Sequence, residues 1–336
     1  MINIVYSSDE NFVPYLSVSL ISFLEHNYSD FDKIVFYILD NGILDRSKEK
    51  LKILCEDFGS ELYFIATSDI ENKYNIKLDL GSRDSNSYPF SAYSRLFLST
   101  LLDVDIKKVL YLDADSLVVG SFKELWEEDI SSYLCAGVLD IINPVTKIES
   151  MIIGREDDPY INTGVLLINL DKWRFDNVEK KFIDFIEKYN DFNFLHADQS
   201  VLNAVFTDKS KILILNPEFN VTLSLYELEY KNISKYVVFD YYSKNVVEKA
   251  KKNPILHHAT TTFYWGRPWV LGNIKIPYYD LYKKYAEKSP FKDRIYIKGK
   301  KLSLNEKFSE FLIKRVSPSF FIFLLKKKKK LNNFIK

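Results

Sequence analysis

Cysteine is almost missing from this chain: Cys55 and Cys135 are the only two in 336 residues. They sit far apart in separate apolar segments, and neither has a second cysteine or a histidine at metal-ligand spacing, which excludes a thiolate metal site. A reducing, cytoplasmic setting fits that usage. Net charge is lacking too, because 46 Lys plus Arg balance 46 Asp plus Glu. No global field therefore draws the protein onto nucleic acid, and its basic residues do not interleave with aromatics around the expected cleft, so no nucleic-acid partner is expected. There is no run of about 18 apolar residues and no charged leader with a cleavage site, so neither a membrane span nor secretion is expected. No Gly/Ser/Pro-rich linker and no internal repeat divides the chain, and its length suffices for a sizeable core.

Short β-rich runs alternate with helical patterns up to about residue 140, as happens where parallel strands are joined by crossover helices. Strands are read at Ile2–Tyr6, Ile34–Leu39, Leu62–Ala66 and Val109–Leu112. Between them, Leu16, Leu20, Phe23 and Leu24 recur on one helical face, and Asp45 is placed as the N-cap of a helix carrying Leu51, Leu54, Cys55 and Phe58. The stretch 141–285 is less regular, with strands at Val165–Leu170 and Ile212–Leu215 and helices around Phe182, Ile186 and Tyr189 and around Val201, Leu202 and Val205. It reads as built onto the first sheet.

The sharpest local feature is KVLYLDADSLVVG, a hydrophobic strand that ends in two carboxylates, Asp113 and Asp115, separated by Ala114. Ligands of open α/β sheets collect at the carboxyl ends of strands. Two hard oxygen donors at this spacing suit Mg²⁺ or Mn²⁺, although an Asp-x-Asp pair also caps ordinary turns.

Beyond that pair, several ordered segments resemble the glycosyltransferase family 8 enzymes: IVYSSDENFVPYLSVSL, SAYSRLFL, KVLYLDADSLVVGSFKELW, YINTGVLLINLDKWR, HADQSVLNAVF and ILHHATTTFYWGRPW. The resemblance spans roughly residues 1 to 270. It implies an α/β, GT-A-type Rossmann-like nucleotide-sugar-binding fold with a mixed, mainly parallel central sheet. A single catalytic domain is expected over residues 1–285, with a nucleotide-binding part (1–140) and a sugar and acceptor part (141–285).

The activity implied is retaining transfer of a hexose, galactose or glucose, from a UDP-sugar to a glycan acceptor, with Mn²⁺ or Mg²⁺ as cofactor. By the same resemblance Asp9 and Asn11 match uridine contacts, with turn and N-cap chemistry as the competing reading. Ser7 and Ser8 match backbone contacts nearby, Ala114 and Arg95 match donor contacts beside the metal carboxylates, and Asp140 and Asn162 match hydrogen-bond partners of the transferred sugar. Asp198 matches a residue that grips sugar hydroxyls, or else caps the helix after it, and Gln199 matches a glutamine on the face opposite the leaving group.

The last motif departs from the family pattern, with a longer, Thr-rich segment between the histidine pair and Arg267-Pro268-Trp269. Following the apolar pair Ile255-Leu256, His257 is taken as the third metal ligand with His258 as the runner-up, and imidazole beside two carboxylates favours Mn²⁺. Arg267 stands where the family carries a lysine and keeps the charge as a diphosphate clamp.

Two rivals share parts of this pattern. A sugar nucleotidyltransferase would need a Gly-rich, basic loop after the first strand, which SSDENFVPY does not provide. A catalytically silent relative is the other alternative. Acceptor contacts are expected from the loops at Ser82–Tyr88 and Ile141–Asp158. Residues 286–336 are expected to form a basic, partly apolar, helical tail in which Phe320–Leu325 abuts Lys326–Lys330. Such a segment can rest on an anionic bilayer surface, placing the enzyme peripherally at the inner face of the cell membrane.

Overall fold

The computed structural model describes residues 1–67, 70, 93–141, 158–189, 197–206, 209–233, 241–260, 266–272 and 276–298. Strands β1 (Ile2–Ser8), β2 (Ile34–Asp40), β3 (Glu61–Ala66), β4 (Lys108–Leu112), β6 (Cys135–Leu139), β7 (Ile161–Asn169) and β8 (Ile212–Ile214) form one sheet in the order β3-β2-β1-β4-β7-β6-β8. All its pairings are parallel except those of β7, which runs against both β4 and β6. This is the mixed, mainly parallel sheet that the sequence led us to expect. β7 lies between β4 and β6, so the sheet is continuous across residue 140. β1 reads INIVYSS, with one of its seven residues short of full burial, as a strand covered on both faces must be.

Helices α1 (Val13–Asn27), α2 (Asp45–Glu56), α3 (Val178–Lys188) and α4 (Ala197–Val205) pack in the two cores against this sheet, α5 (Lys244–Lys252) packs in a separate small cluster with Val221 and Leu225, and α6 (Tyr279–Lys288) lies against α1. One core contains Phe23, Phe36 and Leu112. The other centres on Trp173, whose indole N–H donates to Leu134 O at 3.0 Å while its rings pack edge-on against Phe182 and Phe206. Cys55 and Cys135 are free and buried. Asp45 lies in the first turn of α2, with Leu44 as the extended cap residue. α6 runs across residue 285, and a short helix at Lys292–Ile295 follows it, with Ile295 buried. No helix among the described residues is long and apolar enough to cross a membrane. The loops at 82–88 and 142–157 and the tail from residue 299 lie outside the described residues.

A second sheet of three short strands was not foreseen: β5 (Ser116–Val118), β10 (Leu256–His258) and β9 (Val221–Thr222), in the order β5-β10-β9. α1 anchors it. This helix starts with a proline in its first turn, which suits the φ of that position and needs no N–H there. It then buries Ser19 and Ser22, small enough to let β5 approach closely. Ser22 Oγ accepts the Val118 N–H at 3.0 Å, and Ser19 Oγ lies 2.8 Å from Ser116 Oγ. At the far end Asn27, fully buried, accepts the Phe122 N–H (2.7 Å) and donates to Phe23 O (3.0 Å) and Gly120 O (3.3 Å). Asn27→Leu should therefore strand the buried Phe122 N–H, at a cost of about 1–3 kcal/mol. Urea unfolding would measure it, and an unchanged midpoint would show the clamp to be idle.

Candidate active site

β4 ends at Leu112, and just past it the Asp113 N–H donates to Gly164 O at 2.8 Å. Asp113 and Asp115 then meet three cations. Arg95, in the 3₁₀ turn Ser94–Phe97, is buried rather than on an exposed helix face. Its Nη2 donates to Asp113 Oδ1 (2.8 Å), its Nη1 donates to Thr163 O (2.9 Å), and its Nε makes an unaligned ion pair with Asp198 Oδ2 (3.0 Å). The guanidinium lies 4.4 Å from the Tyr111 ring centre, and that phenol donates to Asp113 Oδ1 at 3.1 Å. His258 Nε2 is 3.2 Å from Asp115 Oδ1 and 3.5 Å from Asp113 Oδ2. Arg267 Nη2 is 3.2 Å from Asp115 Oδ2, and its guanidinium lies 5.6 Å from the Phe12 ring centre and 5.2 Å from that of Trp269. Trp269 is itself stacked on Tyr15 at 4.0 Å.

The electrostatics follow from these contacts. Burial alone would raise the Asp113 carboxyl, but Arg95 and His258 outweigh it and hold the group well below the usual carboxylate range. Burial would lower His258, yet Asp115 and Asp113 bring the imidazole up to about 9. Asp198 is pushed up to about 6 by burial, with Arg95 opposing the rise and Asp113 adding to it.

Asp113, Asp115 and His258 can each direct one donor atom so that all three lie within 4.8 Å of one another. Two carboxylates and one imidazole form a donor set that fits a divalent transition ion better than Mg²⁺.

The histidine expected from the sequence, His257, is not in this group, and the assignment is corrected to His258. Successive residues of a strand point to opposite sides, so β10 can turn only one of the pair toward the acids. His257 faces the other way, stacked on Tyr278 with ring centres 4.2 Å apart and with its Nδ1 3.1 Å from Tyr226 Oη. Burial lowers it to about 3 and keeps it neutral.

A second polar cluster adjoins the first. Asp140, just past β6, accepts at Oδ2 from Gln199 Nε2 (2.9 Å) and from Asn162 Nδ2 (3.2 Å). The Gln199 amide is locked, since its Oε1 takes the Thr163 N–H at 3.1 Å. Asp198 and Gln199 occupy the first turn of α4 behind Ala197, which takes a left-handed φ of 44°. The Asp198 carboxylate goes to Arg95 and to the Thr163 hydroxyl (3.2 Å). Asp9, Asn11, Ser7 and Ser8 lie at the end of β1. Asp9 Oδ1 accepts the Asn11 and Phe12 N–H groups (2.9 and 3.0 Å), the turn role weighed above, while the N-cap of α1 is Phe12 with no side-chain cap, and Asn11 is exposed. Ser7 Oγ is 2.9 Å from Ser94 Oγ, and Ser8 Oγ donates to Asp9 O at 3.0 Å. Ala114 is buried between the two acids.

The sequence model described as "Glycosyl transferase family 8" matches residues 3–269. The chain belongs to that family. A relative from Haemophilus influenzae is 34% identical over 223 residues, which are 66% of this chain and 63% of that protein. The chain thus aligns with less than two thirds of that relative's length. A lipopolysaccharide 1,2-glucosyltransferase of Escherichia coli is 26% identical over 314 residues, covering 88% of this chain and 86% of that one. Among solved structures, the galactosyltransferase LgtC in complex with donor and acceptor sugar analogues superposes with a TM-score of 0.67 at 24% identity, covering 87% of this chain and all of that one. That likeness establishes the GT-A-like fold.

For this family 8 chain, the residues that sequence reasoning missed are Tyr111, Thr163, Gly164 and Asn220. Gly164 did carry a signal, because a glycine inside a strand pattern marks a close backbone approach. A Cβ there would come within 2.1 Å of His258 Cε1. Gly164→Ala should consequently push the imidazole off the acids and destabilise the fold by about 1–3 kcal/mol. Chemical unfolding and the side-chain proton spectrum of His258 would report the two effects, and an unperturbed imidazole would contradict this packing.

Proposed function

We propose that the chain transfers a hexose, galactose or glucose, from a UDP-sugar to a glycan acceptor with retention of configuration at the sugar carbon. The observation that carries this reading is the convergence of Asp113, Asp115 and His258 at the end of β4, beside Arg267 and the Asp140–Asn162–Gln199 cluster. The lipopolysaccharide glucosyltransferase relative and the fold shared with a sugar-bound galactosyltransferase support a hexose donor. Asp113, Asp115 and His258 would hold Mn²⁺, or less readily Mg²⁺, which when bound withdraws the negative charge that builds on a departing diphosphate. Arg267, braced by Phe12 and Trp269, sits within reach of the same diphosphate and adds a fixed cation. Asp9, Asn11, Ser7, Ser8, Ala114 and Arg95 line or brace the nucleotide side. Asp140, Asn162 and Asp198 serve the sugar hydroxyls.

Gln199 occupies the position opposite the leaving group, where an amide with both ends hydrogen-bonded is a poor nucleophile. The acceptor hydroxyl accordingly attacks C1 on the face from which phosphate departs. The C1–phosphate oxygen bond breaks, the C1–acceptor oxygen bond forms, and the acceptor proton passes to the departing phosphate oxygen. A covalent glycosyl adduct trapped on Asp198 or another carboxylate would overturn this route.

A screen of UDP-sugars should find one UDP-hexose whose hydrolysis to UDP requires Mn²⁺, stops with chelator and resumes when the metal is returned. Asp115→Asn should reduce turnover to background, and Mn²⁺ should not restore it. If donors raise the melting temperature by binding yet no UDP is released, the chain is a silent sugar-nucleotide binder instead.

The acceptor side of the reading rests on the tail sequence. Six apolar residues, Phe320–Leu325, followed by five lysines, Lys326–Lys330, favour an anionic bilayer surface at about 1 kcal/mol per basic residue, which suits a glycolipid or surface-polysaccharide precursor at the cytoplasmic face. Deleting residues 319–336 should release the protein from vesicles containing anionic lipid while leaving Mn²⁺-dependent UDP release unchanged. Retention on vesicles after the deletion would remove the tail from this account.

A further inference from the structure

A chain of buried amides runs from Asp140 to the imidazole of the candidate metal site, and its hydrogen-bond polarity has one solution. Asp140 Oδ2 accepts the Asn162 Nδ2 donor at 3.2 Å. The backbone N–H of Gly164, which can only donate, meets Asn162 Oδ1 at 2.9 Å. These two contacts independently orient the Asn162 amide. Its Oδ1 therefore also takes a donor from Asn220, whose Nδ2 lies 2.8 Å away. That leaves Asn220 Oδ1 facing His258 Nδ1 at 3.0 Å. A carbonyl oxygen there needs the proton on Nδ1, and Nε2 is left pointing at Asp113 and Asp115. Asn220 is fully buried, so no water competes for either end of its amide. Gly164 fixes where the ring lies, since its missing Cβ makes room for His258 Cε1.

We propose that Asn220 is a positioning residue for the metal site: its side-chain carbonyl holds the proton on His258 Nδ1, so that Nε2 is the nitrogen that gives up its proton to a cation shared with Asp113 and Asp115. The inference rests on the reading of those three residues as metal ligands. Outer partners of this kind orient ligating histidines generally. Here the partner is an amide, and its direction is set through Asn162 by Asp140 and the Gly164 backbone. The same chain thus fixes Asn162, assigned above to the sugar, and His258, assigned to the metal.

The test uses the full chain. In metal-free wild-type protein labelled with ¹⁵N-histidine, a proton on His258 Nδ1, assigned by its loss in His258→Gln, should exchange slowly with water. Mn²⁺ affinity, followed through the paramagnetic resonance of free Mn²⁺ without donor sugar, should fall about 10- to 100-fold in Asn220→Leu. That variant keeps the branched side-chain shape and removes the acceptor. Asn220→Asp retains an oxygen toward Nδ1 while replacing the donor to Asn162 by a second oxygen and adding a buried negative charge, so its affinity should stay well above that of the leucine variant.

If Asn220→Leu binds Mn²⁺ as wild type does, or Asn220→Asp is as weak as the leucine variant, the proposal fails. An absent Nδ1 proton in wild type overturns it whether or not the leucine variant folds. A wild-type chain that shows this proton but takes up no Mn²⁺ sinks the metal reading, and with it the role given to Asn220. A chain that binds Mn²⁺ without the proton sinks the Asn220 proposal alone.

Discussion

Carboxylates can be crowded into a protein cleft only where cations crowd in with them, and the whole site hangs on that balance around Asp113. Removing ionised acids from water costs several kcal/mol each unless partners replace the solvent. Here Arg95 spans Asp113 and Asp198, His258 spans Asp113 and Asp115, and Arg267 reaches Asp115 from the opposite side. Every one of these cations is held by something besides its acids. Arg95 donates to Thr163 O and lies over Tyr111, His258 bonds Asn220, and Arg267 lies near Phe12 and Trp269. The acids are consequently fixed in direction, which a transferase needs where charge must be met at one place.

The fold supplies these partners from distant parts of the chain through two sheets that meet at the end of β4. The central sheet delivers the acids and, through β7, the Asn162–Gly164 segment. The small second sheet delivers His258, because β10 pairs with β5, which continues directly from the acidic turn, with His258 opposite Ser116. The Ala259 N–H then donates to Asp115 O at 2.9 Å. The acids and the imidazole are thereby fixed in mutual register by backbone pairing, and α1 secures the register from behind through its buried serines and Asn27.

That division also explains what could be read in the sequence. β1, β2, β3 and β4 announce themselves as apolar runs bounded by polar residues, and the acids at the end of β4 follow from the position of that strand. β5, β9 and β10 are two or three residues long, too short to show an alternation. For the same reason the sequence could not phase the histidine pair: Leu256, His257 and His258 are all buried, so burial preference does not tell the inward ring from the outward one. The apolar pair Ile255-Leu256 pointed to His257, whereas pairing with β5 selects His258. Arg95 was legible through its motif but not its burial, because no local pattern reports that two acids from β4 and α4 converge on one guanidinium. Asn220 lies in a 3₁₀ segment, Pro217–Asn220, whose sequence shows no periodicity, and its importance emerges only from the polarity of its hydrogen bonds.

The balance around Asp113 bears as well on how the site and its ligands depend on one another. Three acids, Asp113, Asp115 and Asp198, face three cationic groups, Arg95, Arg267 and the His258 imidazole, which its neighbours hold protonated up to about 9. The cluster is thus close to neutral by itself. If the His258 proton gives way to a divalent ion, as proposed above, one net positive charge is added in a place with little water to screen it. Arg267 would meanwhile lose part of its hold on Asp115, since that carboxylate would be shared. Both changes favour an anion arriving on the same side, and a diphosphate supplies it. Metal and nucleotide sugar should accordingly strengthen each other's binding by the same factor, as linkage requires. The physical origin of that coupling is the pre-existing neutrality of Arg95, Arg267 and His258 with their acids.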